Sequence, residues 1–341
     1  MNLTGAGKIA LILLIAGALG AGYYFFGPDP NKATNETSIN STTPEGGPAS
    51  AANDNVASDD NTASSESSTA ASETSAFSYT APEPVDGKLK GVVELGASGF
   101  NSFVVNIDKD KNWKLEKAEF GNSMVIENMA SDYDIRVGLK KYIGNMIDHG
   151  VSGKDIHFVV SSGAVKADVT QKIIKVLKDM GYMVNTVTAE QEGTLGLKCA
   201  LPQSFSGRGF FADIGSGNTK IAWTTDSGIK SLESYGAKYY EKGISDDAVY
   251  DEVGAKAKQV PASKREICFI IGGVPYDLAK EVRNGKERYT VLKAAEAYKL
   301  DKAKAKAGGN IYKAIADATG CKQFVFDWDA NFTIGFLLGL K

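Results

Sequence analysis

Phe211-Ala212-Asp213-Ile214-Gly215-Ser216-Gly217-Asn218-Thr219 and, about 120 residues earlier, Val92-Val93-Glu94-Leu95-Gly96-Ala97-Ser98-Gly99-Phe100 share one local design. In each, an apolar run ends at a carboxylate, a turn of small residues follows, and a second run returns. Either copy alone reads more readily as an ordinary hairpin with Gly and Asn in its turn. A turn of small residues also exposes backbone N–H groups that phosphate oxygens can approach closely. A carboxylate beside such a turn can hold a hydrated Mg²⁺ that neutralises the phosphates. The repetition favours this second reading. It makes Gly96, Ala97, Ser98, Gly215, Ser216, Gly217 and Asn218 candidate phosphate-binding positions, and Glu94 and Asp213 candidate metal ligands.

Outward from these turns, short apolar runs alternate with amphipathic stretches, which predicts an α/β domain with a mixed sheet. The expected strands are 91–95, 103–107, 156–160, 210–214, 219–223, 267–271 and 324–326. Ile135, Leu139, Tyr142, Ile143, Met146 and Ile147 form one helical stripe that ends near Gly150, and a second helix over 169–180 stops at Gly181. Between the two copies, 182–193 reads as a strand running into a helix. Thr188 with Gln191 three residues on forms a capping box, placing Glu190 and Glu192 in the first turn. Acids there favour the helix dipole in any protein, so a structural role and a catalytic one both stand. The apolar strand that includes Cys268 ends in Gly272-Gly273 before another helix. That pair admits a flat nucleotide base against backbone, or a close helix–strand contact.

The 341 residues carry 38 Lys and Arg against 41 Asp and Glu, a net of -3 that argues against nucleic acid as the ligand. Residues 27–87 hold ten acids and one base, Lys32, so with Lys8 ahead of them residues 88–341 are left with +5. This mild excess fits an anionic ligand or a solvated lysine face. Cys199, Cys268 and Cys321 lack paired spacing and are expected in the core. With only His149 and His157, a histidine-rich metal site or a serine–histidine triad is hard to build; His157 opens an apolar run and is expected to be a hydrogen-bonded structural residue.

At the N-terminus Ile9–Phe26 is uncharged and near the lower limit for crossing a hydrocarbon core of about 30 Å. A cleaved signal peptide is the rival reading, with Ala18 and Ala21 as small residues. Tyr23, Tyr24, Phe25 and Phe26 favour an interfacial anchor over a cleavage region. The residue 1–27 segment is therefore read as a transmembrane anchor. By the positive-inside bias its N-terminus is cytoplasmic and the rest of the chain outside. Residues 28–86, rich in Ser, Thr, Ala, Asn and acids, are expected to form a disordered linker with a root-mean-square span on the order of 40 Å. The folded domain is expected over 87–341.

A first phosphate turn, a strand–helix with a Glu pair, a second phosphate turn and Gly-Gly at a strand end, in this order, resemble the exopolyphosphatase and guanosine pentaphosphate phosphohydrolase family of the actin-like ATPase superfamily. The resemblance spans 88–341, down to Asn331–Leu340. It implies two ribonuclease-H-like lobes around a cleft, a divalent metal, and a carboxylate that activates water against a terminal phosphoryl group of polyphosphate or a phosphorylated nucleotide. Thr188–Gly193 resembles the family's Ser-Gly-x-Glu-Glu-Ala segment and puts Glu192 at the catalytic glutamate, with Asp213 the second catalytic carboxylate. Ser161–Lys166 resembles the segment that supplies a phosphate-binding arginine, with Lys166 in that place, and Gly272 and Gly273 become nucleotide-binding. The chain departs from the family at Glu94, where the family has aspartate, and at Lys220, where the second turn of the family, Asp-x-Gly-Gly-Gly-Ser-Thr-Glu, ends in an acid. Its middle Gly and its Ser are Ser216 and Asn218 here. Two functions follow: a membrane-anchored phosphohydrolase, or a degenerate domain that binds a phosphorylated ligand as sensor or scaffold. A protein partner or a second copy of the chain stays open.

Overall fold

In the computed structural model the described residues are 77–96, 100–120 and 131–340. The expected anchor over 9–26 and most of the expected linker lie outside them. Among the described residues no helix is long and apolar enough to cross a membrane.

Two sheets organise the domain. The first is five-stranded, in the order β3-β2-β1-β4-β5, and the second six-stranded, in the order β10-β11-β9-β6-β7-β8. The strands of the first sheet are β1 (Lys88–Leu95), β2 (Phe100–Ile107), β3 (Trp113–Phe120), β4 (Ile156–Val160) and β5 (Val184–Thr186). Those of the second are β6 (Gly209–Ile214), β7 (Asn218–Thr225), β8 (Gly228–Tyr235), β9 (Ile267–Ile271), β10 (Tyr289–Val291) and β11 (Gln323–Asp327). Without the short β10, the second sheet reads β8-β7-β6-β9-β11, the same sequence of antiparallel meander and parallel crossovers as the first. The repeat visible in the two turns is thus a repeat of whole lobes.

Seven helices are described: α1 (Asp132–Asp148), α2 (Asp168–Asp179), α3 (Ala189–Ala200), α4 (Asp246–Ala257), α5 (Gly273–Val282), α6 (Ala303–Thr319) and α7 (Phe332–Gly339). Helices α1 and α2 cover one face of the first sheet around Leu139, Phe158 and Leu177, and α4 to α6 cover one face of the second around Phe210, Tyr312 and Phe324. The inner faces are covered crosswise. Helix α3, which follows the last strand of the first lobe, lies on the second sheet, whereas α7, which follows the last strand of the second lobe, lies on the first. Each sheet is buried on both faces, which is why β4, β6 and β9 are buried at every residue and predominantly apolar. A side chain at Gly335 would run into the Leu195 carbonyl, so the crossing of α3 and α7 needs glycine there.

The expected strands all form, in several cases longer than the apolar run. Strands β3, β8 and β10 are additions; β3 and β8 sit at a sheet edge, with polar side chains alternating outward. The three cysteines are buried free thiols, as expected. His157 is buried with its ring against Phe336, but its Nδ1 has no hydrogen-bond partner, and burial pushes its pKa down. Of the residues expected in the linker, 77–86 are described, and they lie on the domain, because Phe77 and Tyr79 have an aromatic recess to fill beside Phe205 and Tyr289.

Candidate phosphate site

The structure brings the carboxylates of the two turns and of α3 to one place. Glu94 lies near the end of β1, Asp213 near the end of β6 and Glu192 in the first turn of α3. The capping box expected from Thr188 and Gln191 is present, with Gln191 N–H donating to Thr188 Oγ1 at 3.2 Å and Thr188 N–H to Gln191 Oε1 at 2.9 Å. It fixes where α3 starts. How low α3 sits is set by its glycines: a Cβ on Gly193 would collide with Ser231 Oγ and lie 3.2 Å from Lys220 Cβ, and one on Gly196 would strike the Phe211 ring. The bare face of α3 therefore rests on the second sheet and delivers Glu192 to Lys220.

Lys220 is the centre of the arrangement. In the β6–β7 hairpin Asp213 pairs directly with Lys220, and the Lys220 ammonium lies 3.2 Å from Asp213 Oδ2 and 2.7 Å from Glu192 Oε2. All three residues are buried, at 5% exposure for Lys220, 2% for Glu192 and 8% for Asp213. Burial alone pulls the Lys220 pKa down, but the two carboxylates outweigh it and hold the ammonium above the usual lysine range. The other Glu192 oxygen accepts the Ser162 backbone N–H at 2.5 Å. Ser162 also ties the two turns' neighbourhoods together, its Oγ accepting Asn218 Nδ2 at 3.2 Å.

Glu94 is handled differently. Its Oε2 accepts two neutral amides, Asn101 Nδ2 at 2.9 Å and Asn331 Nδ2 at 3.0 Å. Burial pushes its pKa up, the two amides pull it down, and Asp213 and Glu192 push it up again, leaving it above the usual carboxylate range.

The expected positions divide accordingly. Glu192 and Asp213 converge, with Glu94 close enough to feel both. Gly215 and Ser216 form the second turn, with Gly215 N–H donating to the Asn218 carbonyl at 3.1 Å; Gly217 is exposed with open space around it. Ala97 and Ser98 lie outside the described residues, and Gly96 is the last described residue before them. Lys166 is exposed on the segment that follows Ser162. Gly272, at φ 114°, packs so tightly on the end of β6 that a side chain would run into the Ile214 backbone. Its bareness serves the close helix–strand contact, while Gly273 opens α5 with Lys304 nearby.

The Mg²⁺ expected on Glu94 and Asp213 does not fit this donor set. Asp213 and Glu192 face an ammonium, Glu94 is saturated on one oxygen by amides, and among the described residues no three His, Cys, Asp or Glu side chains are grouped to hold a metal ion. Sequence reasoning noted Lys220 as a missing acid but not as the partner of Asp213. That pairing was readable by counting back from the Gly-Ser-Gly turn. The same counting across the first turn pairs Glu94 with Asn101, whereas Asn331 and the Ser162 N–H carried no local signal, since each reaches the site from a distant part of the chain.

No family model and no curated protein matches the sequence. Solved structures do match the fold. A Ppx/GppA phosphatase from Aquifex aeolicus superposes with a TM-score of 0.55 at 14% identity, over 74% of this chain and 98% of that one. An exopolyphosphatase from Cytophaga hutchinsonii gives 0.56 at 15% identity over 74% and 99%, and an exopolyphosphatase-like protein 0.53 at 11% over 74% and 98%. The described domain has the two-lobed α/β fold of these Ppx/GppA phosphatase and exopolyphosphatase structures.

Proposed function

We propose that the domain binds a phosphorylated ligand, polyphosphate or a phosphorylated nucleotide, without hydrolysing it, and serves as a sensor or scaffold. The observation that carries this reading is the Lys220 ammonium seated between Glu192 and Asp213. A general base must present a free carboxylate oxygen to water, and here both Glu192 oxygens are engaged, one by the Lys220 ammonium and the other by the Ser162 N–H. The same ammonium spends the charge with which the two acids would recruit a divalent cation. Ligand phosphates would be met by the backbone N–H groups of Ser216 and Gly217 and by Lys166. The sequence further supports an N-terminal membrane anchor over Ile9–Phe26 with the domain outside the cytoplasm, which a reporter active only outside, fused after residue 341, would test.

The hydrolase reading keeps one specific support: Glu192 and Asp213 both converge on a single point between the lobes. The two are separated by pairing calorimetry with a phosphate-release assay, using polyphosphate, guanosine and adenosine nucleotides with Mg²⁺. The expected result is binding without release. Release that falls about 10²-fold or more in Glu192→Gln, with binding kept, would establish the hydrolase instead.

A further inference from the structure

The chain enters the domain through an extended segment, Phe77–Asp86, that touches both lobes. Its first half belongs to the second lobe. Exposure alternates along Phe77, Ser78, Tyr79 and Thr80, so that both rings face inward. The Phe77 ring lies 5.9 Å from Phe205, 5.9 Å from Phe269 and 5.7 Å from Tyr289, and the Tyr79 ring lies 5.7 Å from Phe205 and 5.5 Å from Tyr289. Its second half belongs to the first lobe. Val85 N–H donates to Asp108 Oδ2 at 3.1 Å in the β2–β3 turn, and Glu83 pairs with Lys114 of β3 at 2.9 Å. Pro82, between the two anchorages, and Pro84, within the second, favour an extended backbone.

Beside this segment the lobes already meet. The Arg288 guanidinium, bonded to Asp327 at 3.0 Å in the second lobe, stacks 4.0 Å over the Trp113 ring in the first. Tyr289, which receives both Phe77 and Tyr79, is its chain neighbour, so the segment closes a ring of contacts around the lobe junction. In a two-lobed fold the relative position of the lobes sets the width of the cleft that holds the site.

We propose that Phe77–Asp86 is a strap that restrains the separation of the two lobes, so that displacement of the preceding chain is passed to the cleft. The aromatic pair is the anchor on one lobe, the Glu83 and Val85 contacts the anchor on the other, and the proline-stiffened middle the link. It requires no assumption about which ligand the cleft binds.

The test is to slacken the strap without removing a contact. Roughly six Gly/Ser residues, a flexible coil, are inserted between Thr80 and Ala81 in the full-length chain. Spin labels on Lys140→Cys in α1 and Ala255→Cys in α4, both exposed positions, report the distance between lobes, the native thiols being buried. The expected result is a distance distribution that shifts to longer values and broadens relative to the parent. The Phe77→Ala/Tyr79→Ala chain should show the same change. Should that variant fail to fold, the insertion decides alone, since it leaves the aromatic recess filled. A distribution for the insertion that superimposes on the parent's would overturn the proposal.

Discussion

The two lobes end their first strands on the same design and settle the buried acid in opposite ways. At the end of β1, Glu94 is held by two neutral amides and its pKa is pushed up by burial. At the end of β6, Asp213 shares an ammonium with Glu192. A carboxylate leaving water needs a counter-charge or hydrogen bonds from neutral donors, and the two corners display one of these each. In an arrangement built around a divalent cation, that ion could serve acids from both lobes. Here the counter-charge is covalently part of β7, so it serves only the acids within its reach.

The sharpest way to break this comparison is to remove the counter-charge. Lys220→Met keeps most of the side-chain volume and leaves Glu192 and Asp213 buried together with no cation. Breaking a buried pair on one side typically costs about 3–5 kcal/mol, so urea unfolding should show a loss of that order. Neutralising all three groups, with Glu192→Gln and Asp213→Asn added, should recover most of it, because no buried charge is then left unpaired. Lys220→Glu should behave as a metal-dependent protein, less stable than the parent without Mg²⁺ and gaining stability as Mg²⁺ is added. A Lys220→Met chain as stable as the parent would show that the two acids are not ionised as a pair.

An intermediate effect is expected at Asn331, where the first-lobe corner depends on the last helix. Asn331 caps α7, its Oδ1 accepting Thr333 N–H at 2.8 Å, while its Nδ2 donates to Glu94. Loss of an N-cap costs about 1 kcal/mol, so Asn331→Ala should lower stability by about 1–2 kcal/mol. Asn331→Asp separates the two roles: it retains the cap and places a second acid against Glu94. If Asp is tolerated as well as Asn at neutral pH, the amide has no part in holding Glu94.

How much of this was legible depended on the range of the interaction. The apolar runs of β4 and β9 gave those strands to the residue, and Thr188 with Gln191 gave the start of α3, because both signals are local. Strands β3 and β8 were not legible; at sheet edges, Trp113–Phe120 and Gly228–Tyr235 alternate polar and half-buried positions and lack an apolar run. At the site, Asp213 and Lys220 were within reach of hairpin counting, being opposite each other across a Gly-Ser-Gly turn. That Glu192 joins them depends on Gly193 and Gly196 letting α3 settle on the second sheet, a packing fact that no window of sequence contains. Asn331 meets Glu94 only because α7 crosses to the other lobe.

The smallest effect, and the one that sharpens the comparison most, is the pH dependence at Glu94. A carboxylate whose pKa is raised by folding favours its protonated form in the native state. Its contribution is therefore complete below the usual carboxylate range, about pH 4.3 for glutamate, and is lost as pH rises through the raised native value. Glu94→Gln removes that loss: the amide oxygen can still accept Asn101 and Asn331, and its NH₂ group adds no charge beside Asp213 and Glu192. The parent and the variant should thus be nearly equal in urea midpoint near pH 4, and the variant should be the more stable by pH 8. Asp317 and Glu119, whose pKa values are held low by hydrogen bonds from Lys313 and Lys117, act in the opposite direction. They are common to both chains and cancel in the difference. Lys220 does not interfere, since a raised lysine pKa makes its contribution fall away only at pH above the usual lysine range. A difference between the chains that stays flat from pH 4 to pH 8 would mean that Glu94 ionises in the folded protein as readily as in the unfolded one, and the two corners would then differ only in their partners and not in their charge.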